Sequence, residues 1–273
     1  MGFDFTKANE TLTAFERLVE SGRTESWSGD LKVGVDLGTA NIVLSVVDAQ
    51  NRPVAGISTP SRVVRDGIVV DYIGAVSALT RMKAELEAKL GCSLDRAATA
   101  IPPGIIEGNM RCIANVVEGA GFEVSNVVDE PTAAARVLGI QSGAVVDVGG
   151  GTTGISILKD GKVLYTADEP TGGTHMTLVL GGFYRCSIEE AEVMKKDPAR
   201  EHSVFPVIRP VVEKMASIVK SNLRNYPVDA IYVVGGACCF SQFEQVFEKN
   251  IGIPTIKPAA PLLVTPLGIA MNA

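Results

Sequence analysis

The chain has 273 residues, 46% hydrophobic and 21% charged, an ordinary globular composition with enough length for two lobes that each bury a core. A formal net charge of −6 argues against a general nucleic-acid binder, and no apolar run reaches the length of a membrane span. The five cysteines (Cys92, Cys112, Cys186, Cys238, Cys239) have neither disulfide nor zinc spacing, and no basic and apolar leader opens the chain, so a reducing cytoplasm is expected.

Residues 1–30 stand apart from the rest. Phe5, Ala8, Leu12, Phe15 and Val19 recur at steps of three and four, the stripe of an amphipathic helix ended by Gly22. Such a stripe serves either to pack on its own domain or to dock on a partner surface, and the residues alone leave both open. Ser21 to Asp30 is polar and linker-like apart from Trp27. Val33 to Asp48 then reads as strand, turn and strand around Asp36-Leu-Gly-Thr39, and Gln50-Asn-Arg-Pro53 turns it into a third strand. Val63 to Tyr72 places a turn beside a short strand.

Further helices are expected over Ile73–Leu90, closed by Gly91, and Met110–Ala120, closed by Gly121. Strands are expected at Ala97–Ile101, stopped by Pro102-Pro103-Gly104, and at Val124–Val128. Pro131 suits the first turn of a helix running to Leu138. Its three alanines, Ala133 to Ala135, suit close approach of another backbone, and Gly268 in the short C-terminal helix Thr265–Met271 is the matching partner. Lys162–Ala167 reads as a strand and Thr171-Gly-Gly-Thr174 precedes a helical stretch. Ser187 caps a helix to Lys196 with Glu190 as its capping-box partner. Val207–Asn225 is a longer helix, Ala230–Val234 a buried strand breaking at Gly235-Gly236, and Gln242–Lys249 a helix.

Ala144 to Gly161 organises this chain. An apolar strand ends at Asp147, Gly149 to Thr153 form a glycine- and threonine-rich turn, and Ile155, Ile157 and Leu158 restart a strand closed by Asp160-Gly161. Glycines let the backbone aim its N–H groups inward as a nest for an anion, and a carboxylate at the strand end can hold a hydrated metal beside it. Gly149-x-Gly151-x-x-Gly154 formally matches the dinucleotide pattern, but that pattern must open a helix, and here a hairpin follows. No P-loop is present. The same strand, Asp-x-Gly turn and strand stands at Val33–Asp48, so two related half-domains facing one nucleotide with Mg²⁺ are expected.

In this order the pieces resemble the α/β actin-like ATPase fold shared by actin, sugar kinases, DnaK-type chaperones and MreB-type filaments, with two RNase H-like lobes of mixed sheet flanked by helices. The resemblance covers residues 31–273. With the helix and linker at 1–30 lying outside it, the resemblance implies lobe I at 31–140 with residues 261–273 returning to it, and lobe II at 141–260, with reduced outer subdomains. It implies Mg²⁺, through water, near Asp36 and Asp147, and ATP or ADP phosphates on Gly38, Thr39, Gly150, Gly151 and Thr152. Glu130 would orient an attacking water. Gly172, Gly173, Gly235 and Gly236 would border the nucleotide, and Glu192 and Lys195 would touch the adenosine.

Departures from the chaperones are visible too. Gly154 stands where they carry an acid, Ala237-Cys-Cys239 replaces an arginine, and their catalytic lysine has no counterpart. Nucleotide binding is therefore better supported than hydrolysis, which is expected to be slow or absent. Arg65 to Asp71, Pro102-Pro103-Gly104, Ala167 to Gly173 and Ser187 to Glu192 resemble the chaperone-like EutJ family of ethanolamine utilisation. That resemblance implies cytoplasmic work on pathway enzymes or on the shell of a bacterial microcompartment. The alternatives are an MreB-like, self-associating filament or scaffold, and a small-molecule kinase using Asp71 as its spare acid.

Overall fold

The computed structural model describes residues 5–65 and 68–273. The turn expected between Val63 and Tyr72 falls partly outside them; Val64–Arg65 (β4) pairs antiparallel with Ile68–Val69 (β5) on either side.

Two five-stranded sheets repeat one topology. In the first, β1 (Lys32–Leu37), β2 (Asn41–Val47) and β3 (Pro53–Pro60) form an antiparallel meander, and β6 (Arg96–Ile101) and β7 (Glu123–Asp129) extend it in parallel beyond β1. In the second, β8 (Gly143–Val148), β9 (Thr153–Lys159) and β10 (Lys162–Glu169) form the meander, and β11 (Ile231–Val234) and the short β12 (Thr255–Ile256) extend it. The duplicated Asp-x-Gly hairpin read from sequence is thus β1–β2 and β8–β9. Asp36 and Asp147 end the equivalent strands, where ligand crevices of open α/β sheets lie.

Each sheet has its own core. Helices α2 (Tyr72–Leu90) and α3 (Glu107–Gly119) bury Leu79, Leu86, Val116 and Val117 against the first sheet. The second sheet is covered by α5 (Gly173–Tyr184), α6 (Ile188–Lys196), α7 (Glu201–Asn222) and α8 (Phe243–Ile251), with Phe243, Phe247, Ile208 and Met215 buried. Helix α7 starts six residues before the expected Val207 and runs through Pro206 and Pro210. Burial of Val204, Phe205, Ile208 and Val212 along one stripe outweighs the hydrogen bonds those prolines cannot make.

A third apolar cluster joins the halves. Helices α4 (Glu130–Leu138) and α9 (Val264–Met271) cross between the two sheets, with α9 also lying against β1 and β2. A Cβ on Gly268 would overlap the Ala133 carbonyl oxygen, and one on Gly34 would overlap the Ala270 amide. Both contacts require glycine, so the expected approach of Gly268 to the alanines is the structure's central crossing.

The N-terminal helix α1 (Thr6–Ser21) packs on its own protein. Leu12, Phe15 and Leu18 are buried, and a Cβ at Gly56 on β3 would lie 2.5 Å from the Phe15 ring. Gly22 ends the helix in the left-handed conformation. The stretch after it is less free than its polarity implies, since the Glu25 amide donates to Val54 O at 2.8 Å. The same helix touches the second sheet. The Phe5 ring meets Tyr232 edge-on at 5.5 Å, and Asn9 Oδ1 accepts from the Ala259 amide at 2.9 Å. Phe5→Ala is expected to cost about 1 kcal/mol, read as a lower melting temperature. A melt equal to that of the unsubstituted protein would show that this ring contact contributes nothing.

Candidate functional site

A cleft of about 560 Å³ lies between the two sheets. It brings together Asp36, Gly38, Thr39, Glu130, Asp147, Gly150, Gly151, Thr152, Gly173, Glu192, Lys195, Gly235 and Gly236, residues scattered over two hundred positions of sequence. Gly172 is the expected site residue that does not line it. Its backbone packs behind the second glycine loop, where a Cβ would lie 2.8 Å from both Gly149 O and Gly150 O.

The loop's conformation follows from these contacts. Gly149 N donates to Thr152 O at 3.0 Å, closing the turn. The first amides of α5 hold its carbonyls: Gly173 N donates to Gly149 O at 2.9 Å, and Thr174 N and Oγ1 both donate to Gly150 O at 2.8 Å. Turning these carbonyls toward α5 leaves the amides of Gly150, Gly151 and Thr152 with no backbone acceptor among the described residues. That is the chemistry of an anion nest. Gly150 also faces the first hairpin, where a Cβ would be 3.4 Å from Thr39 Cβ and 3.5 Å from Ala40 Cβ. The two hairpins therefore close on one space from opposite sides.

Carboxylates floor the cleft. Burial, then the neighbouring charge of Asp147, pushes Asp36 up to about 7. Burial raises Glu130 well above the usual range, reinforced by Asp147, Asp36, Asp168 and Asp129. Asp147 is raised by burial and by Asp168, against a hydrogen bond donated by Thr265 Oγ1 on α9 to Asp147 Oδ2 at 2.7 Å. Gly235, at φ +92°, must lack a side chain because a Cβ would overlap Asp147 Oδ1. The oxygen donor set and its uncompensated negative charge fit a hydrated Mg²⁺, which keeps most of its waters and is held through few carboxylates. Among the described residues no three His, Cys, Asp or Glu side chains converge tightly enough to grip a metal ion directly.

Glu192 and Lys195 are fixed against the start of α5. Lys195 Nζ donates to Gly173 O at 3.0 Å and Thr177 Oγ1 at 2.7 Å, and pairs with Glu192 at 2.7 Å. Burial pushes Glu192 up, but hydrogen bonds from Lys195 and Thr177 and the lysine charges outweigh it, holding the carboxyl below its usual range. Burial lowers Lys195, opposed by Glu192.

Three residues of this environment escaped the sequence reading. Thr265 ties α9 to Asp147. Asp168 pairs across the ladder with Gly154, which pairs in turn with Asp147, so an acid stands one strand away from the position that lacks one. Glu201 also lines the cleft. Conversely, Asp71 does not line it. Its Oδ1 accepts from Gly74 N at 2.9 Å, capping α2, which removes the spare acid that a kinase reading needs.

Comparison with known proteins places this geometry among relatives. A model of the MreB/Mbl protein family matches residues 55–188, and one of the type IV pilus assembly protein PilM matches residues 133–262. The ethanolamine utilization protein EutJ of Salmonella typhimurium is 46% identical over 243 residues, covering 88% of this chain and 85% of that protein. The crystal structure of EutJ from Carboxydothermus hydrogenoformans superposes with a TM-score of 0.94 at 48% identity, covering 98% of both chains. MreB5 of Spiroplasma citri, solved bound to AMPPNP, superposes at 0.72 with 18% identity over 88% of this chain and 95% of that one, a likeness of fold. Among the described residues no helix is long and apolar enough to cross a membrane.

Proposed function

Because the chain belongs to the EutJ family of ethanolamine utilisation proteins, we propose that it is a chaperone-like ATP-binding switch acting on the pathway's enzymes or on the assembly of a microcompartment shell. The observation that carries this reading is the pair of glycine hairpins closing on one cleft above three raised carboxyls. Amides of Gly150, Gly151 and Thr152, with Gly38 and Thr39 opposite, would hold the phosphates. Asp36 and Asp147 would hold hydrated Mg²⁺, whose charge offsets that of the phosphates and acids. Glu192, Lys195, Gly235 and Gly236 would border the nucleoside.

Closure on nucleotide has a structural route. Glu130 begins α4, and Thr265 on α9 holds Asp147, so the acid floor is bonded to the two helices that cross between the sheets. On the surface, Arg62, which follows β3, pairs with Glu189 on α6 at 3.6 Å. A ligand that draws the hairpins together would shift that crossing and the outer surface with it.

Hydrolysis is expected to be slow. Gly154 stands where the chaperones carry an acid and their catalytic lysine has no counterpart, so groups that position and stabilise phosphoryl transfer are missing. If Glu130 orients the attacking water, Glu130→Gln should spare binding and lower whatever hydrolysis exists, and an unaffected rate would clear Glu130 of that role.

Gly150→Val tests the reading directly. A branched side chain there meets Thr39 and fills the nest, and nucleotide affinity should fall at least about a hundredfold with the fold retained. Unchanged affinity in a folded variant would remove the nucleotide site from this cleft. A self-assembling scaffold of the MreB type is the second reading, favoured by the family-model match over residues 55–188. Sedimentation that grows with protein concentration and ATP would favour it over the switch.

A further inference from the structure

We infer that Glu201 selects the base, taking adenine through its 6-amino group and disfavouring 6-oxo purines. This rests on the nucleotide reading above and deepens it. The cleft lining includes Pro198, Ala237, Phe240 and Leu262 besides Lys195, together with Glu201, the first residue of α7, which also lines a smaller neighbouring cavity with His202 and Ser241. Apolar walls suit the faces of a purine, and polar groups at the edge of such a slot decide which one enters.

Glu201 is held for that task. Its Oε1 accepts from both the amide and the hydroxyl of Ser241, each at 2.6 Å, which fixes the carboxylate plane. Its Oε2 has no hydrogen-bond or ion-pair partner among the described residues. Neighbouring cations are engaged elsewhere: Arg200 with Asp197 at 3.4 Å, Lys196 with Glu192 at 3.3 Å, and Lys257 with Glu244 at 2.8 Å. Glu201 therefore brings to the cleft lining a carboxylate held through one oxygen, with the other left to accept. The 6-amino N–H of an adenine facing Glu201 satisfies it, whereas a 6-oxo group in that same place sets oxygen against the carboxylate oxygen and leaves both unpaired.

Calorimetric titration of the full chain with ADP, IDP and GDP, each with Mg²⁺, tests this. ADP should bind at least about tenfold more tightly than IDP, the span expected for a hydrogen bond to a charged group. Glu201→Gln should shrink that ratio to about twofold, because its amide can donate to a 6-oxo group. Ser241→Ala, which frees the carboxylate, should reduce the ratio part of the way. Equal ADP/IDP ratios in the unsubstituted protein and in a Glu201→Gln variant with an unaltered melt would overturn the inference. So would tighter binding of GDP than of ADP. Failure of every nucleotide to bind would instead overturn the nucleotide reading, and this one with it.

Discussion

Gly268→Val is expected to lower stability by at least about 3 kcal/mol, the upper range for inserting side-chain bulk into a packed core. Any Cβ at this position overlaps the backbone oxygen of Ala133, and backbone cannot swing aside as a side-chain tip can. Relief requires α9 to move off α4. The same α9 presses Ala270 against Gly34 on β1 and presents Thr265 to Asp147, so its displacement disturbs the first sheet and the acid floor together. For a chain of this size the loss corresponds to a melting temperature lower by roughly 6–12 °C. Gly182→Ala is the control: it lies on the exposed side of α5 with nothing within 4 Å of a new Cβ, and the change should be neutral or slightly stabilising. Equal melts for the two variants would mean that the helix crossing is looser than described.

Asp36→Asn is expected to stabilise the ligand-free protein at pH 8 while weakening its hold on nucleotide and Mg²⁺. Asp36 ordinarily titrates near 3.8 and is pushed up to about 7 in the fold. Between those values the unfolded chain has lost the proton and the folded protein keeps it. Stability contributed by this group is thus present below pH 3.8 and falls as pH rises through 7. Three pH units correspond to at most about 4 kcal/mol. Glu130 and Asp147 are raised as well and act with the same sign. Depressed groups such as Asp48 and Glu192 act oppositely, losing their contribution as pH falls through their lowered values, below the window in which Asp36 acts. Thermal melts at pH 5 and pH 8 should show a pH-dependent loss that Asp36→Asn reduces. An identical slope in both proteins would assign the loss to other groups.

Local chemistry made much of this site legible from sequence. Each hairpin carries its glycines and its acid within a few residues, and Gly268 with Ala133–Ala135 announced a close crossing because only small residues permit one. What escaped depends on long-range register. Counting back from the Asp160-Gly161 turn pairs Gly154 with Ala167. A bulge between Val163 and Tyr165 shifts the ladder by one, so Asp168 becomes the partner and its carboxyl joins the acids. One inserted residue exchanges the two faces of a strand, and nothing in the local composition marks it. Thr265 and Ser241 serve side chains 118 and 40 residues away, distances over which sequence pattern carries no signal. The stripe of α1 was legible as a stripe. Its partner, Gly56 on β3, became visible only when the sheet placed a glycine beneath Phe15 and Val19.

A calorimetric titration of the full chain with ATP, with and without Mg²⁺, tests the central claim most directly. One nucleotide should bind per chain, with affinity that falls when Mg²⁺ is removed because the phosphates then face the carboxyls of Asp36, Glu130 and Asp147 uncompensated. Absence of binding at millimolar ATP in a folded protein, or binding that is indifferent to Mg²⁺, would contradict it.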